Sequence, residues 1–245
     1  MITAKKEDRL HEFQLIKLLT GVCDNEILAQ NLFFKGGTCA ALAGYLDRFS
    51  VDLDFDLSPK ANKAKVRGEL EKVFKGLDFT IENNNQKTLY FTLKYKSPGI
   101  QRNTLKLSVF EEIVESNDYK PIYLAQIERL VNCQVIETMF ANKLVTPVDR
   151  YQKHKKVAGR DIYDIYYFFF QGYDFKKEII EERTGLNTSD YLDKLISFIE
   201  ERVTEDILTR DLNLLLPYEK FKIIRKTLKN DVLMLLKGFG RSGQN

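Results

Sequence analysis

Apolar residues recur along this chain at two spacings, and the spacing changes partway through its length. Over residues 8–22, Phe13, Ile16, Leu19 and Val22 return near a period of 3.6, which predicts a helix. Leu32-Phe33-Phe34 is a short apolar run ending at Lys35-Gly36-Gly37. It predicts a buried strand that runs into a tight turn, with Thr38 placed to cap a helix over TCAALAGYL. From Ser50 to Leu57 the alternation is unbroken. Val51, Leu53, Phe55 and Leu57 take one face and Asp52, Asp54 and Asp56 the other, the pattern of a half-buried strand. NKAKVRGELEKVFKGL predicts an amphipathic helix with Val66, Leu70, Val73 and Leu77 inward. LYFTLKY (89–95) and TLKLSVF (104–110) predict two further strands joined by the turn-rich SPGIQRN. After about residue 126 the period turns helical, through VIETMFANKLVTPV, RDIYDIYYFFF, SDYLDKLISFIEERV and EKFKIIRKTLKNDVLMLL, and GFGRSGQN is expected as a frayed tail. The expected fold class is α/β: a mixed sheet with helices over residues 1–126, then a helical bundle over 127–245.

Composition narrows the function classes. With 44% hydrophobic and 30% charged residues, the 245-residue chain can bury a core, which excludes a fully disordered protein. No apolar run approaches the roughly 20 residues of a membrane span, and MITAKKEDRLHEFQ lacks an apolar signal core, so a soluble, cytoplasmic protein is expected. Cys23, Cys39 and Cys133 are odd in number and far apart in sequence, and the only histidines are His11 and His154. This argues against a disulfide framework and against a Cys/His zinc site. A net charge of +3 is too small to argue nucleic-acid binding by itself.

The chemistry concentrates between Lys35 and Asp54. Two glycines let the backbone bend sharply and approach a ligand closely, and the following helix directs free N–H groups and a positive dipole end at the turn, which suits a phosphate. Strand period puts Asp52 and Asp54 on one face, about 7 Å apart at Cα. Two such carboxylates repel unless a cation lies between them, and Mg²⁺ takes one or two carboxylates plus substrate phosphates. The simplest reading is a metal–nucleotide site for phosphoryl or nucleotidyl transfer. In TLKLSVF, Leu105, Leu107 and Val109 face inward, so Lys106 and Ser108 face the site.

Phe34-Lys35-Gly36-Gly37-Thr38, then Arg48-Phe49-Ser50, then Asp52-Leu53-Asp54-Phe55 resembles the signature of the nucleotidyltransferase superfamily, and more closely the AbiEii-type toxins of type IV toxin–antitoxin and abortive-infection systems. Glu137, Ala141, Lys143 and Leu144, followed by Arg160-Asp161-Ile162-Tyr163-Asp164, is similar to that family's later K…RDxxD motif, so the resemblance spans roughly residues 30–170. It implies that Asp52 and Asp54 hold Mg²⁺ (or Mn²⁺) and that Lys35, Gly36, Gly37, Thr38, Ser50, Lys106 and Arg160 line a nucleoside triphosphate. It also implies that Lys143 neutralises triphosphate charge, while Asp161 or Asp164 contacts the nucleotide or helps deprotonate an acceptor hydroxyl. Superfamily members commonly carry a third carboxylate on a later strand, where this chain has Ser108; Glu111 and Glu112 lie just beyond.

The implied function is NMP transfer from an NTP to an RNA acceptor, tRNA among the candidates, by the toxin of a toxin–antitoxin pair with a cognate antitoxin as partner. The alternatives are a catalytically weakened nucleotide-binding protein and small-molecule nucleotidylation. Between Lys143 and Arg160 six basic residues (Lys143, Arg150, Lys153, Lys155, Lys156, Arg160) face one acid, Asp149. Such a run is a solvated connector or, beside a nucleotide site, a ridge for RNA. The aromatic run Tyr163–Phe170 reads as core, and the basic run Lys220–Lys229 as the outer face of a packed helix.

Overall fold

A computed structural model of the protein describes residues 8–82, 87–98 and 102–242. Two compact units divide the chain. One comprises the residues through Ile113 together with Asp118–Val135, and the other Val114–Asn117 together with the residues from Ile136 onward.

In the first unit, α1 (Arg9–Cys23) and α2 (Glu26–Asn31) precede β1 (Leu32–Lys35), which runs directly into α3 (Gly36–Leu42). Then follow β2 (Asp52–Leu57), α4 (Lys63–Gly76), β3 (Thr80–Ile81), β4 (Leu89–Lys94), β5 (Thr104–Phe110), β6 (Tyr119–Leu124) and β7 (Arg129–Gln134). The strands form one mixed sheet in the order β3-β4-β5-β2-β1-β7-β6, with β2–β5 and β1–β7 parallel and the other pairs antiparallel. The alternation in β2 and β5 has the expected result. Leu53, Phe55, Leu105 and Leu107 are buried on the face that α1 covers.

Several expectations need correction. The stripe that α1 buries is His11, Leu15, Leu18, Leu19 and Val22, whereas Phe13 is 61% exposed. Both phases of this helix carry apolar side chains, and the packed sheet selects one. In α4 the buried positions are Val66, Leu70 and Phe74, with Val73 and Leu77 on the flank. The chain does not turn helical at about residue 126, because β6 and β7 on either side of it pair as a hairpin. Part of the SPGIQRN connector, residues 99–101, lies outside the described residues, as do residues 243–245 of the expected tail; α10 runs to Ser242.

His11 is the one histidine in the core, at 1% exposure. Its Nε2 donates to the Val51 carbonyl at 2.9 Å, and its Nδ1 lies 2.9 Å from the Tyr95 hydroxyl. Burial pushes the imidazole down from 6.5 to about 4, against the opposing pull of the Val51 carbonyl, with Arg102 adding to the depression. The unfolded chain therefore binds a proton that the folded chain refuses. The stability His11 leaves intact above about pH 6.5 is lost as pH falls toward 4. Urea unfolding between those values should show wild type losing about 2–3 kcal/mol more than His11→Gln, which keeps a donor and an acceptor without the titration. Parallel pH profiles for the two proteins would refute this.

The second unit is helical: α5 (Ile136–His154), α6 (Gly159–Phe170), α7 (Lys177–Thr184), α8 (Thr188–Arg202), α9 (Glu205–Leu212) and α10 (Tyr218–Ser242). Helix α5 continues through Pro147, where the missing N–H and the ring disturb the bonds of the preceding turn. The buried Tyr191 hydroxyl reaches the Leu144 and Val145 carbonyls there, at 3.1 and 3.3 Å. The aromatic run of α6 is core at Tyr163 and Phe168, while Phe170 at its end is exposed. On α10, Phe221, Ile224 and Leu228 are buried and Lys222 and Lys226 lie outside, as expected; Ile223 is exposed with them. Among the described residues no helix is long and apolar enough to cross a membrane.

Candidate active site

The sheet face opposite α1 carries the polar alternate positions. Strand register sets Asp52 beside Lys106, Asp54 beside Ser108, and Asp56 beside Phe110. On the other side of β2, Lys35 is paired with Asp54 and Phe33 with Asp56. Asp52 and Asp54 are half-buried on this shared face, and Ser108 occupies the position next to Asp54. Glu111, just beyond β5, pairs with Lys63 at 2.7 Å.

The glycine pair sits against these carboxylates. Gly36 has φ +80°, and a Cβ there would lie 2.8 Å from Asp54 Oδ2. A Cβ on Gly37 would meet Ser50 Oγ at 2.9 Å and the Arg48 guanidinium at 3.0 Å. A side chain at either position would have to displace Asp54 or Ser50, and at Gly36 the positive φ adds backbone strain. Thr38 is not the cap of α3. Lys35 holds the N-cap position, and the buried Thr38 hydroxyl donates to the Asp52 carbonyl at 2.5 Å, tying the helix to the strand that carries the carboxylates. Arg48, 3% exposed, donates to the Phe49 carbonyl at 2.9 Å and lies against Gly37, a structural part the motif alone did not reveal.

Asp56 departs most from its sequence reading. Alternation placed it on a polar strand face, yet it is 1% exposed. Its carboxylate accepts from Lys35 Nζ at 2.5 Å, the Tyr119 hydroxyl at 2.7 Å and Gln134 Nε2 at 3.0 Å. The Lys35 ammonium also lies 3.9 Å from the centroid of the Phe110 ring. Lys35, expected at a phosphate, thus has its ammonium on Asp56.

The remaining predicted residues lie in the helical unit. Asp161 and Asp164 share one face of α6, as their spacing implies, and both are buried. Asp164 pairs with Lys143 of α5 at 2.8 Å, and Asp161 accepts from Arg150 at 2.8 and 3.4 Å. Three of the six basic residues in the expected ridge are engaged by acids: Lys143, Arg150, and Lys153 on Asp149. Lys153 and His154 belong to α5 rather than to the connector, and Lys155 lies over the Tyr151 ring. Removing one partner of a buried pair strands the other charge. Lys143→Met should cost about 3 kcal/mol in urea unfolding, and Lys143→Met/Asp164→Leu should recover most of it. A loss under about 1 kcal/mol would mean that water already shields Asp164.

The donor set suits a hard divalent cation. Among the described residues no three His, Cys, Asp or Glu side chains form a cluster able to hold a metal. Two half-buried carboxylates with the backbone of Gly36 against one of them fit Mg²⁺ or Mn²⁺, whose remaining ligands come from phosphates and water.

Solved structures share this architecture. JHP933 from Helicobacter pylori is similar at a TM-score of 0.59 and 20% identity, over 98% of this chain and 96% of that one. MenT4, a nucleotidyltransferase toxin from Mycobacterium tuberculosis H37Rv, is similar at 0.56 and 15% identity, over 94% and 84%. No curated protein matches the chain in sequence. The fold is thus of the nucleotidyltransferase class, a mixed sheet followed by C-terminal helices. Residues 17–222 match the family model of the nucleotidyl transferase AbiEii toxin of type IV toxin–antitoxin systems, and the chain belongs to that family.

Proposed function

We propose that the protein transfers a nucleoside monophosphate from an NTP to an RNA acceptor, in the cytoplasm, as the toxin of a pair whose antitoxin restrains its effect. The observation that carries this reading is the packing of Gly36 and Gly37, at the start of α3, against Asp54 and Ser50 on the carboxylate face. Asp52 and Asp54 would hold the cation, which when bound neutralises triphosphate charge and polarises the α-phosphate. The backbone N–H groups of Gly36, Gly37 and Thr38 take the β- and γ-phosphates, and Ser50 and Lys106 flank them on the same unit. An acceptor hydroxyl oxygen forms a bond to the α-phosphorus, the bond to the β-phosphate oxygen breaks, and pyrophosphate leaves. The hydroxyl proton passes to a carboxylate or to water. Lys143, Asp161 and Asp164, to which the resemblance gives nucleotide roles, are committed in the helical unit to the buried pairs Lys143–Asp164 and Arg150–Asp161. The exposed Lys155 and Lys156 are assigned to acceptor phosphates.

The second reading is a nucleotide-binding protein with weakened catalysis. It is favoured by Ser108, a neutral ligand in register with Asp54 where a third carboxylate would complete a two-metal site. Incubating total RNA with each of four α-labelled triphosphates separates the two. Labelled RNA with one triphosphate supports transfer, whereas saturable triphosphate binding without labelled RNA supports the second reading.

A further inference from the structure

Lys35 and Asp54 are direct cross-strand partners on β1 and β2. Opposite charges at such positions ordinarily pair. Here the ammonium runs instead to Asp56, one same-face position further along β2, and lies over the Phe110 ring. Asp56 is held for this task. Tyr119 and Gln134, from β6 and β7, both donate to its Oδ2, which leaves Oδ1 facing Lys35. Stability alone gives a poor reason for the pair, since buried ion pairs are often matched by apolar replacements.

The geometry points to Asp56 as a positioning residue that holds the Lys35 ammonium away from Asp54, so that this ammonium does not compete with a divalent cation at the Asp52/Asp54 pair. The inference rests on the reading of that pair as the cation-holding group. Without the Asp56 charge, the nearest carboxylate across the strand from Lys35 is Asp54, and an ammonium there competes with the metal. A fold-supporting role for Asp56 predicts lost stability. Sequestration predicts lost metal affinity that returns when the ammonium is also removed.

The test is Mn²⁺ titration of the intact protein followed by electron paramagnetic resonance. Wild type is compared with Asp56→Asn, Lys35→Met, the double variant, and Asp52→Asn/Asp54→Asn as the reference without the site. Asp56→Asn should weaken Mn²⁺ binding by about tenfold or more, the effect of one unit charge brought within a few ångströms of the ion. The double variant should return to within about threefold of wild type, and Lys35→Met alone should bind no more weakly than wild type. Wild-type affinity in Asp56→Asn overturns the inference, and so does a double variant as weak as Asp56→Asn. If Asp56→Asn does not fold, Lys35→Met decides: unchanged or tighter binding supports sequestration, and a tenfold loss overturns it. Wild-type binding that disappears in Asp52→Asn/Asp54→Asn but is untouched by Asp56→Asn sinks the positioning role alone. Wild-type protein with no binding dependent on Asp52 and Asp54 sinks this inference and the proposed site together.

Discussion

Asp54→Asn and Asp52→Asn should each lower nucleotide transfer by about 10²–10³-fold, the size of effect seen when one charged contact to a reacting centre is lost. The two side chains are half-buried on one face of β2, opposite the core positions Leu53 and Phe55, so neutralising them leaves the packed face intact. Both variants should stay folded without divalent cation, because the buried apolar positions of β2 are untouched. Initial rates of label transfer and urea unfolding without metal measure both effects. Full activity in both variants would show that the chemistry lies elsewhere, whereas lost activity together with lost fold would leave Asp52 and Asp54 as structural residues only.

Gly36→Ala should be nearly as damaging to transfer, by a different route. Its φ of +80° costs an alanine about 1–2 kcal/mol, and the added methyl would sit 2.8 Å from Asp54 Oδ2, so the carboxylate must move. Gly44 supplies the control. It has φ +81°, and nothing lies within 4 Å of an added Cβ. Gly44→Ala should therefore show a similar loss in urea unfolding with normal transfer, while Gly36→Ala loses transfer by about a hundredfold. Equal activity in the two variants would mean that the Asp54 carboxylate tolerates displacement and that the close approach of Gly36 has no functional weight.

The carboxylate face was legible because strand period is unambiguous. Seven residues of strict alternation from Val51 to Leu57 leave one assignment of faces, and β5 repeats the pattern with Lys106 and Ser108 in register beside Asp52 and Asp54. Helix phase was less certain. Helix α1 has apolar residues at 13 and 16 as well as at 15, 18, 19 and 22, too wide a stripe to orient itself. Its packing on β2, β5 and β7, and the His11 bond to the Val51 carbonyl, chose the second set. The β6–β7 hairpin was missed because YKPIYL holds a proline and RLVNCQ is short and runs straight into a helix. Their strand character comes from pairing with each other and with β1.

By itself the sequence determined the α/β order, the carboxylate face, the glycine pair beside it and the family resemblance, all of which depend on residues close together in the chain. Tertiary structure alone decided which charges are committed. Spacing placed Asp161 and Asp164 on one face of α6, but nothing local says that Arg150 takes one and Lys143 the other. Likewise, Asp56 is an ordinary polar strand residue until Tyr119 and Gln134, 63 and 78 positions away, close on it together with Lys35. A carboxylate can be buried only where donors replace its water, and those donors converge only when distant strands join one sheet.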